Sequence, residues 1–527
     1  MAKVLISDKM SSRAAEIFRE RGITVDVKTG LPAEELKAII GEYDGIAIRS
    51  STKLTPELIE AGVNLKVIGR AGIGVDNVHL PTASKRGIIV MNTPFGNTVT
   101  TAEHSVAMIM AAARHLGAAT ASTRAGKWEK NRFMGKELAG KTLGIIGTGN
   151  IGSLVVERCL GLKMRVLAYD PFISRKRADD LGIELAASLE AFWPRVDVLT
   201  VHAPLSEQTR HLVDSRAFEQ MKDGVIVVNC ARGGIIDEGA LVTALRSGKV
   251  FSAALDVFEH EPVKSHPLFE MENVVLTPHL GASTHEAQFN VAVQVAQQIA
   301  DYLIKGTVQN ALNIPSVSEK ELPELRPWLN LGDRLGTTLG QLTEAGVRRL
   351  EIDFQGDVGR LNRKPIANAI LNGLLRPMLD CGVNSVNAPL IAEERGIEVV
   401  ETTRGASREG FNSLIGVTIV TEKRQRHISG TLFAGQPRIV AMNDVPIEAN
   451  PEGTLLFIAN QDTPGLIGRV GTLLGQNGIN IANFHLGRRE QGGAAIAFVN
   501  VDQPIVPELL AELARIPNVL EVKVVSY

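Results

Sequence analysis

Leu143-Gly144-Ile145-Ile146-Gly147-Thr148-Gly149-Asn150-Ile151-Gly152 decides the fold of this chain. The apolar first half reads as a strand. Gly147, Gly149 and Gly152 then form a G-x-G-x-x-G turn that opens a helix (Leu154, Val155, Val156, Cys159, Leu160). A second apolar run, Arg165 to Tyr169, ends in Asp170, eighteen positions after Gly152. Strand, glycine turn, helix, strand and acid together make the context of a dinucleotide site. The first glycine permits the tight turn, the second lets backbone approach a pyrophosphate, and the third lets helix and strand pack closely. The helix N-terminus offers free N–H groups and a partial positive charge to two phosphates. A carboxylate at Asp170 hydrogen-bonds the adenosine ribose and repels a 2′-phosphate, which favours NAD over NADP. The nearby Arg175-Lys176-Arg177 run is either a solvated helix face or a place for such a phosphate. Gly69, Gly72 and Gly74 also follow an apolar run, but they lack the third-glycine spacing and no helix pattern starts there. They read as a strand-to-loop turn.

Composition narrows the classes. A chain of 527 residues corresponds to about three to four domains. An apolar content of 44% and a charged content of 22% are those of a globular protein. A net charge of −2 gives no electrostatic case for nucleic acid or a membrane surface. No apolar run approaches the ~20 residues of a membrane span, and Met1 to Ser7 reads as a first strand rather than a leader. Cys159, Cys230 and Cys381 make no C-x-x-C pair, so a reducing cytoplasm fits. No His/Cys cluster has zinc-ligand spacing, and no metal is expected.

Short apolar strands alternate with helices over residues 1–98, at Lys3 to Ser7, Thr24 to Val27, Gly45 to Ile48, Val67 to Gly69 and Ile88 to Met91. That alternation implies a parallel sheet covered by helices. Thr98 to Leu116 reads as one long helix leading to the glycine turn. Strands at 143–146, 165–169, 197–201, 225–229, 252–255 and 274–276 complete a doubly wound nucleotide domain. A helix over 286–305 is expected to return the chain to the first lobe. Pro315 to Pro327 reads as a linker, and 328–450 mixes a helix (Pro365 to Leu379) with strands around 350–354 and 417–420. Lys423, Arg424, Arg426 and Arg438 there read as a solvated sheet face or an anion pocket. The last segment reads βαββαβ, a ferredoxin-like sandwich whose outer strand edge is free to pair with another copy.

Three polar residues carry the chemistry. Arg232 follows the apolar strand Val225 to Asn229, where residues face the ligand crevice of an open α/β sheet. A guanidinium there can grip a carboxylate with two parallel hydrogen bonds. His279 ends another strand, and its imidazole can take a hydroxyl proton while hydride leaves the same carbon. Glu261 can orient that ring and favour its protonated form. His260 and His202 are rival bases ranked below His279. An arginine or histidine past a strand end can also be a plain surface residue.

These motifs resemble the D-isomer-specific 2-hydroxyacid dehydrogenase family, through Gly147 to Gly152, Asn229 to Gly233, Asp256 to Pro262 and Thr277 to Thr284. The resemblance covers residues 1–312. It implies Arg232 for substrate binding and polarisation, His279 as acid/base and Glu261 as its partner. It also implies Asp256 near the nicotinamide carboxamide, with Asn150, Ile151, Ala203, Cys230, Ala231, Gly281 and Ala282 lining the cofactor site. Ala203 stands where relatives often have a hydroxyl residue. Over its full length the chain resembles the long members of that family, which carry an intervening domain and a terminal ACT regulatory domain. The architecture implied is α/β, with two Rossmann-like lobes and a cleft between them, an α+β intervening domain and the ferredoxin-like ACT domain. The expected boundaries are 1–98 with 286–312 (substrate lobe), 99–285 (NAD domain), 313–452 (intervening) and 453–527 (ACT).

For the long members the activity implied is NAD-dependent oxidation of 3-phosphoglycerate to 3-phosphohydroxypyruvate, the first committed step of serine synthesis. Arg49, Ser50 and the N–H groups around Gly72 are candidates for holding carboxylate and phosphate, with Asn97 nearby; Arg49 could equally be a surface ion pair. Trp128, Lys130 and Arg132 lie in an excursion that contacts the partner subunit in the family, so a homodimer or homotetramer is expected. The terminal domain resembles ACT modules that bind amino acids between paired copies. Asp462, Gly465 and Asn480 would receive the effector, expected to be L-serine, although Asn460 stands where some relatives carry an aromatic. Two alternatives stay open. One is a family enzyme for another 2-hydroxy acid such as hydroxypyruvate, glyoxylate or 4-phosphoerythronate, although such enzymes are usually shorter. The other is an NAD-sensing scaffold like the corepressor branch of the fold.

Overall fold

Four sheets organise the computed structural model, which describes residues 1–379, 382–405 and 410–527. Cys381 lies outside the described residues. The first sheet holds β1 (Lys3–Ile6), β2 (Thr24–Val27), β3 (Gly45–Ile48), β4 (Val67–Arg70) and β5 (Ile89–Asn92), in the order β2-β1-β3-β4-β5, all parallel. The second holds β6 (Thr142–Ile146), β7 (Arg165–Tyr169), β8 (Glu184–Leu185), β9 (Val198–Val201), β10 (Val225–Asn229), β11 (Val250–Leu255) and β12 (Val274–Leu276). Its order, β12-β11-β10-β9-β6-β7-β8, reverses direction between β6 and β9, which is where a doubly wound sheet opens its ligand crevice. Strands such as β3, β6 and β10 are buried throughout, as expected of parallel strands covered on both faces. The two-residue β8 is too short to leave a sequence pattern.

Two helices join these sheets. His285–Lys305 returns to the first sheet, where Ala292, Val295, Ala296 and Ile299 share a core with Val4, Ile6, Val67 and Met91. Gly69 makes room for it: a Cβ there would stand 2.5 Å from Ile299 Cδ1. The other connection differs from its sequence pattern. The helix expected over Thr98 to Leu116 ends at Ala113, and after a break at His115 with φ 51° a second helix runs over Leu116–Arg124. Tertiary donors claim the carbonyls at the break: Ser252 Oγ bonds Ala112 O at 2.9 Å, and the Lys136 N–H bonds Ala113 O at 2.8 Å.

The third sheet comprises β13 (Val347–Gly356), β14 (Glu398–Arg404), β15 (Ser413–Thr421), β16 (Gln425–Phe433), β17 (Gln436–Met442) and β18 (Val445–Ala449). The fourth comprises β19 (Thr454–Gln461), β20 (Ile481–Arg488), β21 (Ala494–Val501) and β22 (Val519–Ser526), in the order β20-β21-β19-β22 with helices at Leu466–Gln476 and Pro507–Ala514. The expected linker is in part helix: Leu322–Gln341 takes up Pro323 and Pro327. Proline is tolerated in a first turn, where its missing N–H has no helical partner, and Pro327 removes one bond close to that end.

One core runs through both C-terminal sheets. Leu331, Leu335 and Ile428 share it with Leu455, Phe457, Ile496 and Phe498. Arg426, buried at the seam, donates to both carboxylate oxygens of Glu521 at 2.5 and 2.6 Å, and Arg424 adds two bonds to the same group. Arg426 is therefore a buried seam residue rather than part of a solvated face, and Arg424 reaches the same carboxylate from an exposed position. The β20 edge is not free as expected; β18 lies beside it, with Pro446 O 2.1 Å from where a Cβ on Gly487 would be. The Leu322–Gln341 helix packs on Arg363–Leu375 at very close range, and a Cβ on Gly336 would meet Ile370 O at 2.2 Å. Gly336→Ala is expected to cost about 2 kcal/mol by overpacking, measured by urea unfolding followed through Trp328 on the same helix. Gly346→Ala, with open space around its Cβ, is the control expected to change little.

Candidate active site

The glycine turn divides its labour as its spacing implied. Gly147 has φ 87° and lies so close to His202 that a Cβ would meet its carbonyl at 2.6 Å. A Cβ on Gly152 would meet Gly147 O at 2.2 Å, so only glycine lets the helix pack on the turn. Around Gly149 there is open space. The Asn150–Gly161 helix starts there without a side-chain cap, leaving the first amides to an anion. Asp170 ends β7 beside the turn, where Oδ2 accepts from Thr148 N (2.8 Å) and Oγ1 (2.7 Å) and Oδ1 from Phe172 N (3.0 Å). Burial works to raise this carboxyl, but those donors outweigh it and hold it below the ordinary range. Arg175, Lys176 and Arg177 are exposed on their helix, a solvated face. Uncapped amides, open space at Gly149 and an ionised Asp170 fit a dinucleotide.

Cys230, Ala231 and Arg232 follow β10 in a turn framed by Asn229, whose Oδ1 accepts from Ala231 N and whose Nδ2 donates to Arg232 O. Cys230 is buried and its thiol is pushed up to about 12, so it stays neutral and packs as an apolar group. Ala203 is half-buried past β9.

His279 follows β12 with φ 56°. Asp256 holds that turn. Its carbonyl accepts from His279 N at 2.9 Å, its Oδ1 from Leu280 N (2.7 Å) and Thr277 Oγ1 (2.6 Å), and its Oδ2 from Gly281 N (2.9 Å). His104, from the helix between the lobes, reaches Oδ1 at 3.1 Å. Burial raises the Asp256 carboxyl, but His104, Thr277 and Leu280 outweigh it and keep it ionised. Glu261 Oε2 lies 2.7 Å from His279 Nδ1. That contact assigns the Nδ1 proton to the bond and leaves Nε2 free to exchange one. Burial also raises Glu261, and His279 with the Phe258 N–H outweighs it.

These groups open onto a cavity of about 1230 Å³ between the lobes, lined by Glu261, His279 and Ala282 on one side and Arg49, Ser50, Lys53 and Asn97 on the other. Arg49 bonds the Lys9 carbonyl at 3.0 Å rather than pairing with an acid. Asn97 is buried, and its Oδ1 has no partner among the described residues. The Gly72 N–H is not open to a ligand as expected, because it donates to Thr93 Oγ1 at 2.6 Å. The amides of Ile73 and Gly74 donate to nothing among the described residues.

Sequence reasoning missed Arg70, Asp76 and His104. Arg70 and Asp76 line the cavity, and Arg232 Nε bonds Asp76 Oδ2 at 3.0 Å across the cleft. Arg70 is the last residue of β4, at a strand's carboxyl end, so the strand-end rule that singled out Arg232 could have found it. His260 is exposed outside the cleft lining, and His202 Nε2 is engaged by Thr200 Oγ1 at 3.0 Å. In the last domain, Asp462 bonds Arg488 and Gly492, while Asn480 bonds Asp502. Strand register sets Asp462 and Gly465 at one end of β19 and Asn480 at the other, so one chain does not bring them together.

A dinucleotide crevice opening on a cleft that faces an imidazole–carboxylate pair with several guanidinium groups defines a dehydrogenase of 2-hydroxy acids. Family models agree. Residues 106–281 match the NAD-binding domain of D-isomer specific 2-hydroxyacid dehydrogenases, 324–443 the D-3-phosphoglycerate dehydrogenase intervening domain, and 454–518 the ACT domain. D-3-phosphoglycerate dehydrogenases from Archaeoglobus fulgidus and Methanocaldococcus jannaschii are each 41% identical, over 98% and 100% of this chain and 99% and 100% of their own. Among solved structures, a glyoxylate reductase from Paecilomyes thermophila (29% identity, TM-score 0.56) covers 59% of this chain and 98% of its own. D-lactate dehydrogenase from Aquifex aeolicus, complexed with NAD and lactic acid (27%, TM-score 0.52), covers 59% of this chain and 100% of its own. The chain belongs to the D-3-phosphoglycerate dehydrogenase family. It is an NAD-dependent oxidoreductase, and no helix among the described residues is long and apolar enough to cross a membrane.

His202 gives the folded protein a pH signature. Burial pushes its imidazole from 6.5 down to about 4. Between those values the unfolded chain takes up a proton that the folded chain refuses, so stability falls as pH drops through that window. His202→Gln is expected to flatten the pH dependence of the unliganded protein's thermal midpoint between about pH 4 and 6.5, read by calorimetry across that range.

Proposed function

We propose that this chain oxidises 3-phospho-D-glycerate to 3-phosphohydroxypyruvate with NAD, opening L-serine biosynthesis in the cytoplasm. The observation that carries this is the charge of the cleft. Arg49, Lys53 and Arg70 line it, with Asp76 and Glu261 as the acids of the wall, and Arg232 bonds Asp76 at its edge. Such an excess suits a substrate bearing a carboxylate and a phosphate, together about three negative charges near neutral pH. Relatives of matching length carry the corresponding name.

The residues divide the work by position. The Nη1–Nη2 edge of Arg232 receives the carboxylate and draws charge from the adjacent carbon–oxygen bond. Arg49, Arg70 and the Ile73 and Gly74 amides receive the phosphate, with Ser50 and Asn97 beside them. His279 Nε2 takes the proton of the C2 hydroxyl, while Glu261 at 2.7 Å fixes the ring and stabilises the imidazolium that forms. NAD held by the glycine turn and Asp170 would supply the acceptor for the hydride leaving C2. Asp256 holds the 277–281 turn, and the lone pair left on its Oδ2 can accept from the carboxamide. Gly147, Gly149, Asn150, Ile151, Gly152 and Asp170 seat the pyrophosphate and ribose, with Ala203, Cys230, Ala231, Gly281 and Ala282 around the rest of the cofactor.

The lobes are assigned as 1–98 with 286–312 for substrate and 99–285 for NAD, with 313–452 and 453–527 as regulatory domains. Trp128 and Met134, 88% and 72% exposed on the excursion before β6, support a homodimer or homotetramer through that face. L-serine is the proposed ACT effector. Asp462 and Gly465 would come from one chain and Asn480 from another, because they lie at opposite ends of the sheet.

His279→Ala is expected to lose at least ~100-fold in kcat while NAD affinity, read by fluorescence titration, stays near that of the parent. NADH absorbance across a panel of 2-hydroxy acids should favour the phosphorylated C3 acid. Near-equal rates with lactate or glycerate would refute the substrate assignment.

A further inference from the structure

Two arginines from opposite lobes are seated on one short loop, Gly72-Ile73-Gly74-Val75-Asp76. A Cβ on Gly72 would stand 1.5 Å from Arg70 Nη1, and one on Gly74 would stand 1.7 Å from Arg232 Nη2. Each glycine is therefore a slot in which a guanidinium lies against bare backbone. Arg70 is poorly satisfied there. Its Nε has no partner among the described residues, and its Nη1 reaches only the Ala71 carbonyl, at 3.3 Å. Arg232 is held at two points, Nη1 to its neighbour's carbonyl Ala231 O at 2.7 Å and Nε to Asp76 Oδ2 at 3.0 Å.

Like charges brought this close repel. Burial, followed by the charge of Arg232, pushes Arg70 down to about 10, and Asp76 works against both. Asp76 belongs to the substrate lobe and Arg232 to the nucleotide lobe, so their bond spans the cleft. We propose that Asp76 is a positioning residue for the reaction, holding Arg232 against Gly74 from across the cleft and setting the net positive charge that an anionic substrate meets. This rests on Arg232 receiving the substrate's carboxylate, as proposed above.

The geometry supplies the reason. A carboxylate is gripped best by two parallel N–H groups on one guanidinium edge. With Nε committed to Asp76 and one Nη1 N–H to the Ala231 carbonyl, the second Nη1 N–H and the Nη2 N–H beside it are the pair left for a ligand. Without Asp76 the group can turn about its last torsions, and productive orientation is lost. The cleft also gains one unit of positive charge, which tightens the hold on any anion, product included. Uniformly tighter anion binding does not raise the rate. Turnover and anion affinity should therefore move in opposite directions, whereas a merely structural role would weaken both.

The test compares the parent with Asp76→Asn and Asp76→Glu in the full-length protein with NAD. Readouts are kcat, KM for 3-phosphoglycerate and for NAD, and sulfate affinity by titration calorimetry, with thermal midpoints alongside. For Asp76→Asn, kcat is expected to fall about tenfold with the NAD KM unchanged, while sulfate binds about three- to fivefold tighter. Asp76→Glu keeps the charge and shifts its position. It is expected to hold sulfate affinity within about twofold of the parent and give an intermediate kcat. Unchanged or weaker sulfate binding in Asp76→Asn overturns the proposal, as does an unchanged kcat. If the parent itself fails to oxidise 3-phosphoglycerate, the substrate assignment fails separately. The sulfate titration then still decides whether Asp76 sets the charge of the cleft.

Discussion

The carboxylate of Asp256 is the constraint on which the site depends. It is buried at the end of β11 and takes hydrogen bonds from Thr277, Leu280, Gly281 and His104, while its own carbonyl takes the His279 N–H. A left-handed backbone is costly for a residue with a Cβ. His279 keeps one because those bonds over-determine the turn. The imidazole is thereby pointed at the cleft on a short, rigid segment, and Glu261 sets which nitrogen holds the proton. His104 and Thr101 extend the arrangement. Both lie on the helix that links the lobes, and Thr101 Oγ1 also bonds Gly281 O at 2.9 Å. The His279 turn is thus anchored to the element on which the lobes are hung.

Electrostatics supply the second principle. The cleft gathers guanidinium groups from the ends of β3, β4 and β10 with few compensating carboxylates. Such a cluster is costly in an isolated fold, because buried like charges repel and lose hydration. It is tolerable where an anionic ligand completes it, and strained sites of this kind are where function is found. The C-terminal half follows the opposite rule. At the seam between the third and fourth sheets, Arg424 and Arg426 are both matched by Glu521, over a core shared by both domains. Asn384 and Asn387 bond the Gly87 and Lys85 carbonyls, and Val386 enters the core of the first lobe. The C-terminal half is therefore joined mechanically to the lobe that carries Arg49, Arg70 and Asp76.

Much of this was legible in the chain. Buried parallel strands read as continuous apolar runs, so the number of strands in the first two sheets and their places along the chain, β8 aside, were readable before any coordinates. The glycine turn and Asp170 followed from glycine spacing in its strand–helix–strand context, and the residues past β10 and β12 from the rule that strand carboxyl ends face the ligand. Other features left no local trace. The break at His115 contains no glycine or proline, because the carbonyls that end the helix are taken by Ser252 and Lys136, far away in sequence. Pro327 suggested a linker where packing against the Arg363–Leu375 helix sustains a helix. The Gly72–Gly74 loop lacked nucleotide spacing, yet it holds two guanidinium groups that no periodicity reports.

Sequence by itself determined the architecture of the nucleotide sheet and the chemical types that surround the cleft, because hydrophobic periodicity and turn chemistry are local properties. Tertiary structure alone decided which charges meet. Arg232 with Asp76, His104 with Asp256 and Arg426 with Glu521 are separated by 156, 152 and 95 positions, and pairing at that range is set by how the lobes and sheets dock. Coulomb forces act through space rather than along the chain, so the electrostatic character of the site could be read only once the chain was folded.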